Sequence, residues 1–323
     1  MEAAQDILRR LADGEVVVID GGTGTQLQAE GVPMDDDAWS GRASLDHAEV
    51  VQSVHEAYVR AGADVIIANT FAAGRAALGP AGLGARVAEA NQNAVRAALR
   101  AREAAAAGRP VAVAGSMSSF CPIAMHGRGA GGPPGGAAGE DPRFPGLQDF
   151  REQATLLADA GVDLIALELM EAPGYGRAAI EAATETGLPV WLGIAPVRLG
   201  DGTLGTDPEL GSGDSFEDLV KILADPGLAA VNVMHAKPDV VPDAISVIRR
   251  HFAGPIGVYA ESGDWAAPNW VFNGLSPEEY LAEAVSWVDR GAQIIGGCCG
   301  VGPGHIRLLA DGLVRQAGGT PSG

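Results

Sequence analysis

Ala61-Gly62-Ala63-Asp64-Val65-Ile66-Ile67-Ala68 and, much later in the chain, Ala160-Gly161-Val162-Asp163-Leu164-Ile165-Ala166-Leu167-Glu168 are built alike. In each, an Ala-containing stretch with helical spacing stops at glycine, and a short apolar run follows. Glycine accepts the left-handed conformation that ends a helix. A short β-branched run bounded by turn signals reads as a buried strand of a parallel sheet. Outward from these two segments, runs of the same kind recur at 16–20, 64–68, 110–115, 163–168, 189–194, 229–234, 255–259 and 293–297, eight in all. Helical stretches separate most of them, at 48–61, 84–107, 147–160, 172–186 and 277–291. Alternating βα units imply a parallel sheet with right-handed crossovers. Eight units fit a closed barrel better than an open sheet, and 323 residues suffice for one. The expected fold is therefore α/β, a single-domain (β/α)8 TIM barrel spanning residues 1–323.

One segment breaks the rhythm. Residues 127–146 are rich in Gly and Pro and follow the third strand, so they belong on the rim. That composition predicts a flexible loop, either a mobile lid or an insertion with no role. The Gly/Ser/Pro-rich tail after 317 is expected to fray.

Composition narrows the function classes. Aromatic residues are only 5%, so Ala, Val, Leu and Ile must fill the core. A net charge of −19 repels phosphate backbones and anionic headgroups, which argues against nucleic acid or a membrane as partner. No run approaches the roughly 18 apolar residues of a membrane span. The cysteines are Cys121, Cys298 and Cys299, an odd count with two adjacent, which is not a disulfide framework and suits a reducing compartment. The N-terminus is charged and amphipathic, without the apolar region of a signal peptide. The expected location is the cytoplasm; oligomeric state is not legible.

A (β/α)8 barrel carries its chemistry at the C-terminal ends of its strands. Read in order, those ends are Asp20-Gly21-Gly22-Thr23-Gly24-Thr25, Asn69-Thr70-Phe71, Ser116-Met117-Ser118 with Cys121 beyond, Glu168, Met234-His235, Tyr259 with Glu261-Ser262-Gly263, and Gly297-Cys298-Cys299-Gly300. The last is the most specific. Adjacent strand residues point to opposite faces, so both sulfurs can reach one metal only if the backbone kinks, which the flanking glycines permit. Two thiolates in a pocket are soft ligands that favour Zn²⁺. The competing reading is a pair of small buried apolar cysteines.

Ile294-Ile295-Gly296-Gly297-Cys298-Cys299-Gly300, with Pro303 and His305-Ile306 after it, resembles the C-terminal zinc motif of the homocysteine S-methyltransferases. Similarity extends through Asp20-Gly21-Gly22-Thr23-Gly24-Thr25, Trp39-Ser40, Ala61-Gly62-Ala63-Asp64-Val65-Ile66, Asn69-Thr70-Phe71, Leu167-Glu168 and Tyr259-Ala260-Glu261-Ser262-Gly263, in the family's order. The resemblance implies a zinc-dependent transfer of a methyl group from a small donor to the thiolate of homocysteine, giving methionine. It implies that Asp20 and Glu168 hold the amino group of the acceptor. Ser40, Asn69 and the backbone of Gly21 would complete that pocket. It also implies three cysteine ligands, one after the sixth strand and the pair after the eighth.

This chain departs from that pattern. Its sixth strand ends Met234-His235-Ala236-Lys237, without cysteine. His235 is the residue placed to replace the missing ligand, giving Cys298, Cys299 and His235, a reasonable zinc set; Cys121 is the weaker alternative. Gln26 and Glu261 stand where many relatives have an acidic residue and Asn. Neither is expected to touch the metal, though either could alter the donor or acceptor. The open alternatives are the same barrel acting on another small thiol, a metal-dependent hydrolase, and a non-catalytic thiol or metal binder. No HxH pair favours the hydrolase, and no GxGxxG-type loop directly joining a strand to a helix indicates a Rossmann site for S-adenosylmethionine, which a barrel enzyme does not need. With no appended folate or cobalamin domain in the sequence, the expected donor is small and freely diffusing.

Overall fold

The structure is a computed structural model that describes residues 2–120, 145–207, 213–266 and 269–317. Cys121, the tail after 317 and all but the last two residues of the 127–146 loop lie outside the described residues. Eight strands form the central sheet: β1 Val17–Val18, β2 Val65–Ala68, β3 Ala112–Ser118, β4 Leu164–Glu168, β5 Val190–Ile194, β6 Ala230–Met234, β7 Ile256–Ala260 and β8 Ala292–Gly297. They pair in parallel in the order β1-β8-β7-β6-β5-β4-β3-β2. A parallel bridge between Ile19 and Val65 joins β1 back to β2 and closes the ring. Each strand is followed by a helix of the outer layer: α1 Ala48–Ala61, α2 Val87–Ala105, α3 Leu147–Ala160, α4 Pro173–Thr184, α5 Phe216–Leu223, α6 Val241–His251, α7 Pro277–Asp289 and α8 Pro303–Ala317. The expected TIM barrel is the observed fold.

The two segments that announce the fold also close it. Gly62 and Gly161 end α1 and α3 in the left-handed region, at φ 113° and 94°. The aspartate two residues on then locks the adjacent strand. The Asp64 carboxylate accepts the Val18 N–H at 3.0 Å, and the Asp163 carboxylate accepts the Val113 N–H at 2.9 Å. Arg10 and Arg102 neutralise these carboxylates at 3.0 and 2.9 Å. A single aspartate thus satisfies a strand-end donor and sets strand register.

Alternation along the strands sends Val17, Val65, Ala112, Leu164, Ala230 and Ile294 into the barrel interior. A helix at Glu2–Ala12, not foreseen in the sequence, presses Ile7 and Leu11 against that interior. Gln293 of β8 donates to the Leu11 carbonyl at 2.8 Å, which fixes the helix under the N-terminal ends of the strands. Burying two such side chains contributes about 1.5–3 kcal/mol each. That end is plugged, and the C-terminal end is left to chemistry.

Some boundaries differ from expectation. β3 runs on to Ser118, because Ser116, Met117 and Ser118 continue the ladder opposite Ala166, Leu167 and Glu168. The polar serines concealed a strand whose end faces the site. The 84–107 stretch is a 3₁₀ turn at Gly84–Arg86 followed by α2. Hairpins at Pro196–Arg198 with Leu204–Thr206, and at Asp264–Ala266 with Asn269–Val271, rise after β5 and β7. Among the described residues, no helix is long and apolar enough to cross a membrane.

Candidate active site

The Cys298-Cys299 pair lies just past the end of β8, where strand alternation no longer applies. Gly300 turns the chain at φ 82°, and a Cβ there would sit 2.4 Å from the Ser262 carbonyl oxygen. Backbone bonds from Cys298 N to Ala260 O, at 2.9 Å, and from Ser262 N to Cys299 O, at 2.7 Å, tie the turn to the segment after β7. Thr25 accepts the Gly300 N–H at 3.1 Å and donates to Gly22 O at 3.0 Å, so the Gly-Gly-Thr-Gly-Thr motif braces the cysteine turn. The two sulfurs end 3.8 Å apart.

His235 follows β6 directly. Its φ of 46° is left-handed, uncommon for a residue other than glycine, and the turn aims the ring at the cysteines. Nδ1 lies 3.4 Å from Cys298 Sγ, and the donor atoms of His235, Cys298 and Cys299 all lie within 4.8 Å of one another. Zinc bond lengths of about 2.3 Å to sulfur and 2.0–2.1 Å to nitrogen give tetrahedral edges of about 3.8 Å for S–S and about 3.6 Å for S–N. The Cys298–Cys299 and Cys298–His235 edges fit that set. A hydrogen bond from Cys299, then the neighbouring imidazole, hold Cys298 well below the usual thiol range despite burial, while Cys299 is pushed well above it. Burial alone would lower His235, but the Cys298 thiolate and Glu261 outweigh it and raise the imidazole to about 9.

These groups sit in a pocket of about 1130 Å³, counted to its open mouth, at the C-terminal end of the barrel. Gly21, Ser40, Asn69, Glu168, His235, Cys298 and Cys299 all line it. Asp20 does not reach its wall. The Asp20 carboxylate is buried behind the lining and accepts the Ile67 N–H at 2.8 Å, and burial drives its pKa well above the usual range. Asn69 spends its amide N–H groups on Ser40 O at 2.8 Å and Ser44 Oγ at 3.0 Å, so it fastens the Trp39-Ser40 loop to β2. Gly21 is required by space, since a Cβ there would sit 2.0 Å from Val301 O.

Glu168 closes β4 inside the pocket. The Ser116 hydroxyl donates to it, as does Tyr259. Burial nevertheless raises its carboxyl to about 7.

Several lining residues were not assigned a role from sequence. Glu171, three positions past Glu168, is buried and raised by burial to about 8. Trp39, Phe71 and Phe120 form one aromatic wall, with ring centroids 5.4–6.5 Å apart. Trp270 stands edge-on to His235 at 5.7 Å. Tyr259 could have been found from its place at a strand end; the loop residues had no periodic signal. Of the two departures noted above, Gln26 does not line the pocket and bonds Glu30 at 3.0 Å. Glu261 Oε2 lies 3.3 Å from His235 Nδ1, in contact with a candidate ligand, while it stays outside the cluster formed by the His235, Cys298 and Cys299 donor atoms.

The family model for homocysteine S-methyltransferase matches residues 17–313. Homocysteine S-methyltransferase 1 of Zea mays is 32% identical, covering 98% of this chain and 100% of that protein. A selenocysteine methyltransferase of Astragalus bisulcatus is 30% identical, covering 91% of each. The metallated form of the homocysteine methyltransferase MmuM from Escherichia coli superposes with a TM-score of 0.73 at 25% identity, covering 94% of this chain and 99% of that one. Matched along nearly its whole length, from β1 through the cysteine turn to α8, the chain belongs to the homocysteine S-methyltransferase family.

Proposed function

We propose that this protein transfers a methyl group from a small activated donor to the thiol of homocysteine, giving methionine, with zinc held by Cys298, Cys299 and His235. The observation that carries this reading is one pocket holding both a two-sulfur, one-nitrogen donor set and, across from it, the buried carboxylate of Glu168. Zinc, when bound, supplies the Lewis acidity that deprotonates a thiol at neutral pH and keeps it as the nucleophile.

The chain's own residues do the rest. Glu168, held in place by Ser116 and Tyr259, offers a charge-assisted hydrogen bond to the acceptor ammonium. Asp20, behind the lining, fixes β1 to β2 by accepting the Ile67 N–H. Asn69 and Ser40 shape the loop that closes the amino-acid end, and Gly21 leaves its backbone accessible there. The aromatic wall of Trp39, Phe71 and Phe120 keeps water from the methyl path. In-line alignment of sulfur, methyl and leaving group is then a matter of positioning.

A screen of methyl donors with homocysteine by mass spectrometry, run beside metal analysis of the same preparation, tests the proposal. Methionine should form in step with zinc content. Zinc-loaded protein that methylates no thiol would sink it. The Astragalus relative's name makes a selenol acceptor the second reading, so the screen includes selenocysteine.

Glu168→Gln should weaken homocysteine binding by about 10–150-fold, the loss of a charged hydrogen bond worth about 1.5–3 kcal/mol. Transfer from bound acceptor should change less. Calorimetric Kd against single-turnover rate separates the two; an unchanged Kd removes Glu168 from the pocket.

A pH dependence follows. The free Glu168 carboxyl titrates near 7, and the ammonium pairs with its ionised form. Binding is therefore complete above pH 7 and should weaken about tenfold per unit below it. The Glu168→Gln variant should lose that step, and a step surviving in the variant would assign it to another group.

A further inference from the structure

We infer that Tyr58 and Tyr280 are positioning residues of the metal centre: their hydroxyls, reaching in from two outer helices, hold the Cys298–Val301 turn in the shape that presents both sulfurs to one ion. The inference rests on the zinc reading above for what the turn is for, and goes beyond it by naming what shapes the turn.

Two adjacent cysteines reach one ion only from a particular backbone shape, because on an extended strand their side chains part. Here Val301 N donates to Cys298 O at 3.1 Å, so residues 298–301 form a β-turn. Its third residue, Gly300, takes a φ of 82°, the left-handed value that a type II turn demands at that position. The sulfurs, 3.8 Å apart, ride on the first two residues of the turn. A single backbone hydrogen bond is too weak to hold one such shape on a barrel rim.

Both ends of the turn are pinned by a phenol. The Tyr280 hydroxyl, from α7, lies 3.0 Å from Ala260 O and 2.8 Å from Gly296 O. Ala260 O is also the acceptor of the Cys298 N–H. The Tyr58 hydroxyl, from α1, donates to Val301 O at 3.0 Å, and the same oxygen accepts the Gly22 N–H at 3.0 Å. A carbonyl oxygen has two lone pairs. At Ala260 and at Val301 the backbone takes one and a phenol takes the other. The peptide groups that bracket the cysteines are thereby fixed in orientation on both sides.

Both side chains are fully buried. Burial raises both phenols well above their usual range, so each stays protonated and remains a donor. Tyr280 stands edge-on to Trp287 and His305, with ring centroids 5.5 and 5.8 Å away, which fixes where its hydroxyl points. Helices α1 and α7 both pack against α8, the helix that leaves the turn, so the two phenols reach the cysteines from opposite flanks. A buried phenol needs some acceptor. These two, from separate helices, converge on the carbonyls that bracket one four-residue turn.

Tyr58→Phe and Tyr280→Phe in the full-length protein test this, since each removes one oxygen and keeps the ring. Zinc affinity, measured by competition with a chromophoric chelator, should fall about 10–100-fold in each, the range for loss of a group that orients a metal ligand. Hydrogen exchange of the metal-free protein should quicken over residues 296–301 and stay unchanged in β3, β4 and β5. Folded variants with wild-type zinc affinity overturn the inference. Exchange that quickens evenly around the barrel gives the phenols a general structural role and overturns it too. If neither variant folds, the metal-free wild type decides: the Cys298 and Val301 amides should be as protected as those of β8, and free exchange there overturns the inference. Wild-type protein that takes up no zinc overturns the zinc reading instead, and exchange in the metal-free protein still decides whether the phenols hold the turn.

Discussion

Zinc should leave the protein, and turnover should fall by about a thousandfold or more, when either Cys298 or Cys299 is replaced by serine. Serine nearly matches cysteine in size, so the turn that carries it should survive. The Thr25 bond to Gly300 and the backbone ties to Ala260 and Ser262 do not involve the sulfurs. What changes is the donor. An alcohol stays protonated and is a much poorer zinc ligand than a thiolate. Loss of the metal removes a contribution of several kcal/mol to the transition state, about three decades in rate. The two variants should be equivalent, because the metal requires both cysteines as thiolates. Metal content by mass spectrometry and turnover are measured together, with circular dichroism to confirm the fold. A serine variant with full zinc and full turnover would remove that cysteine from the centre.

The parts legible in the sequence were those with a local signature. Gly62-Ala63-Asp64 and Gly161-Val162-Asp163 announced helix stop and strand start, and the barrel followed from their repetition. Cys298-Cys299 was legible because two donors share one strand end, and Glu168 because a carboxylate closing an apolar run needs a partner. His235 could be read only by its position at the end of β6. The signals failed where function depends on what lies across the barrel. The contact of Glu261 with His235 joins the ends of β7 and β6, and no spacing encodes it. Asn69 lines the pocket, and its amide also holds the Trp39-Ser40 loop, a contact that no spacing encodes. Asp20 was expected at the acceptor's amino group, and its bond from the Ile67 N–H, which ties β1 to β2, had no sequence signal. The aromatic wall is drawn from three separate loops, whose composition carries no period. The N-terminal plug was missed for a simpler reason: the charge on Glu2–Ala12 concealed the two positions, Ile7 and Leu11, that face the barrel.

His235→Ala should also release zinc, by more than the about 10–100-fold that loss of an outer-shell partner costs a metal site. The backbone complicates the reading, since His235 sits at φ 46°, a conformation in which a non-glycine residue costs on the order of 1–3 kcal/mol. Alanine keeps that strain and loses the ligand. Asparagine, which accepts the left-handed region more readily, loses the ligand without adding strain. If both variants fold and both lose zinc, the missing imidazole is the cause. His235→Cys asks the opposite question. A third thiolate would leave the metal with more compensating negative charge, hence a weaker Lewis acid, and would make the acceptor thiolate more nucleophilic once bound. Such a variant should keep zinc and transfer methyl at least as fast, provided the shorter side chain reaches. Zinc content, homocysteine Kd and single-turnover rate on the three variants decide the matter. Wild-type zinc with wild-type turnover in His235→Ala would place the third ligand elsewhere, with Cys121 the next residue to replace.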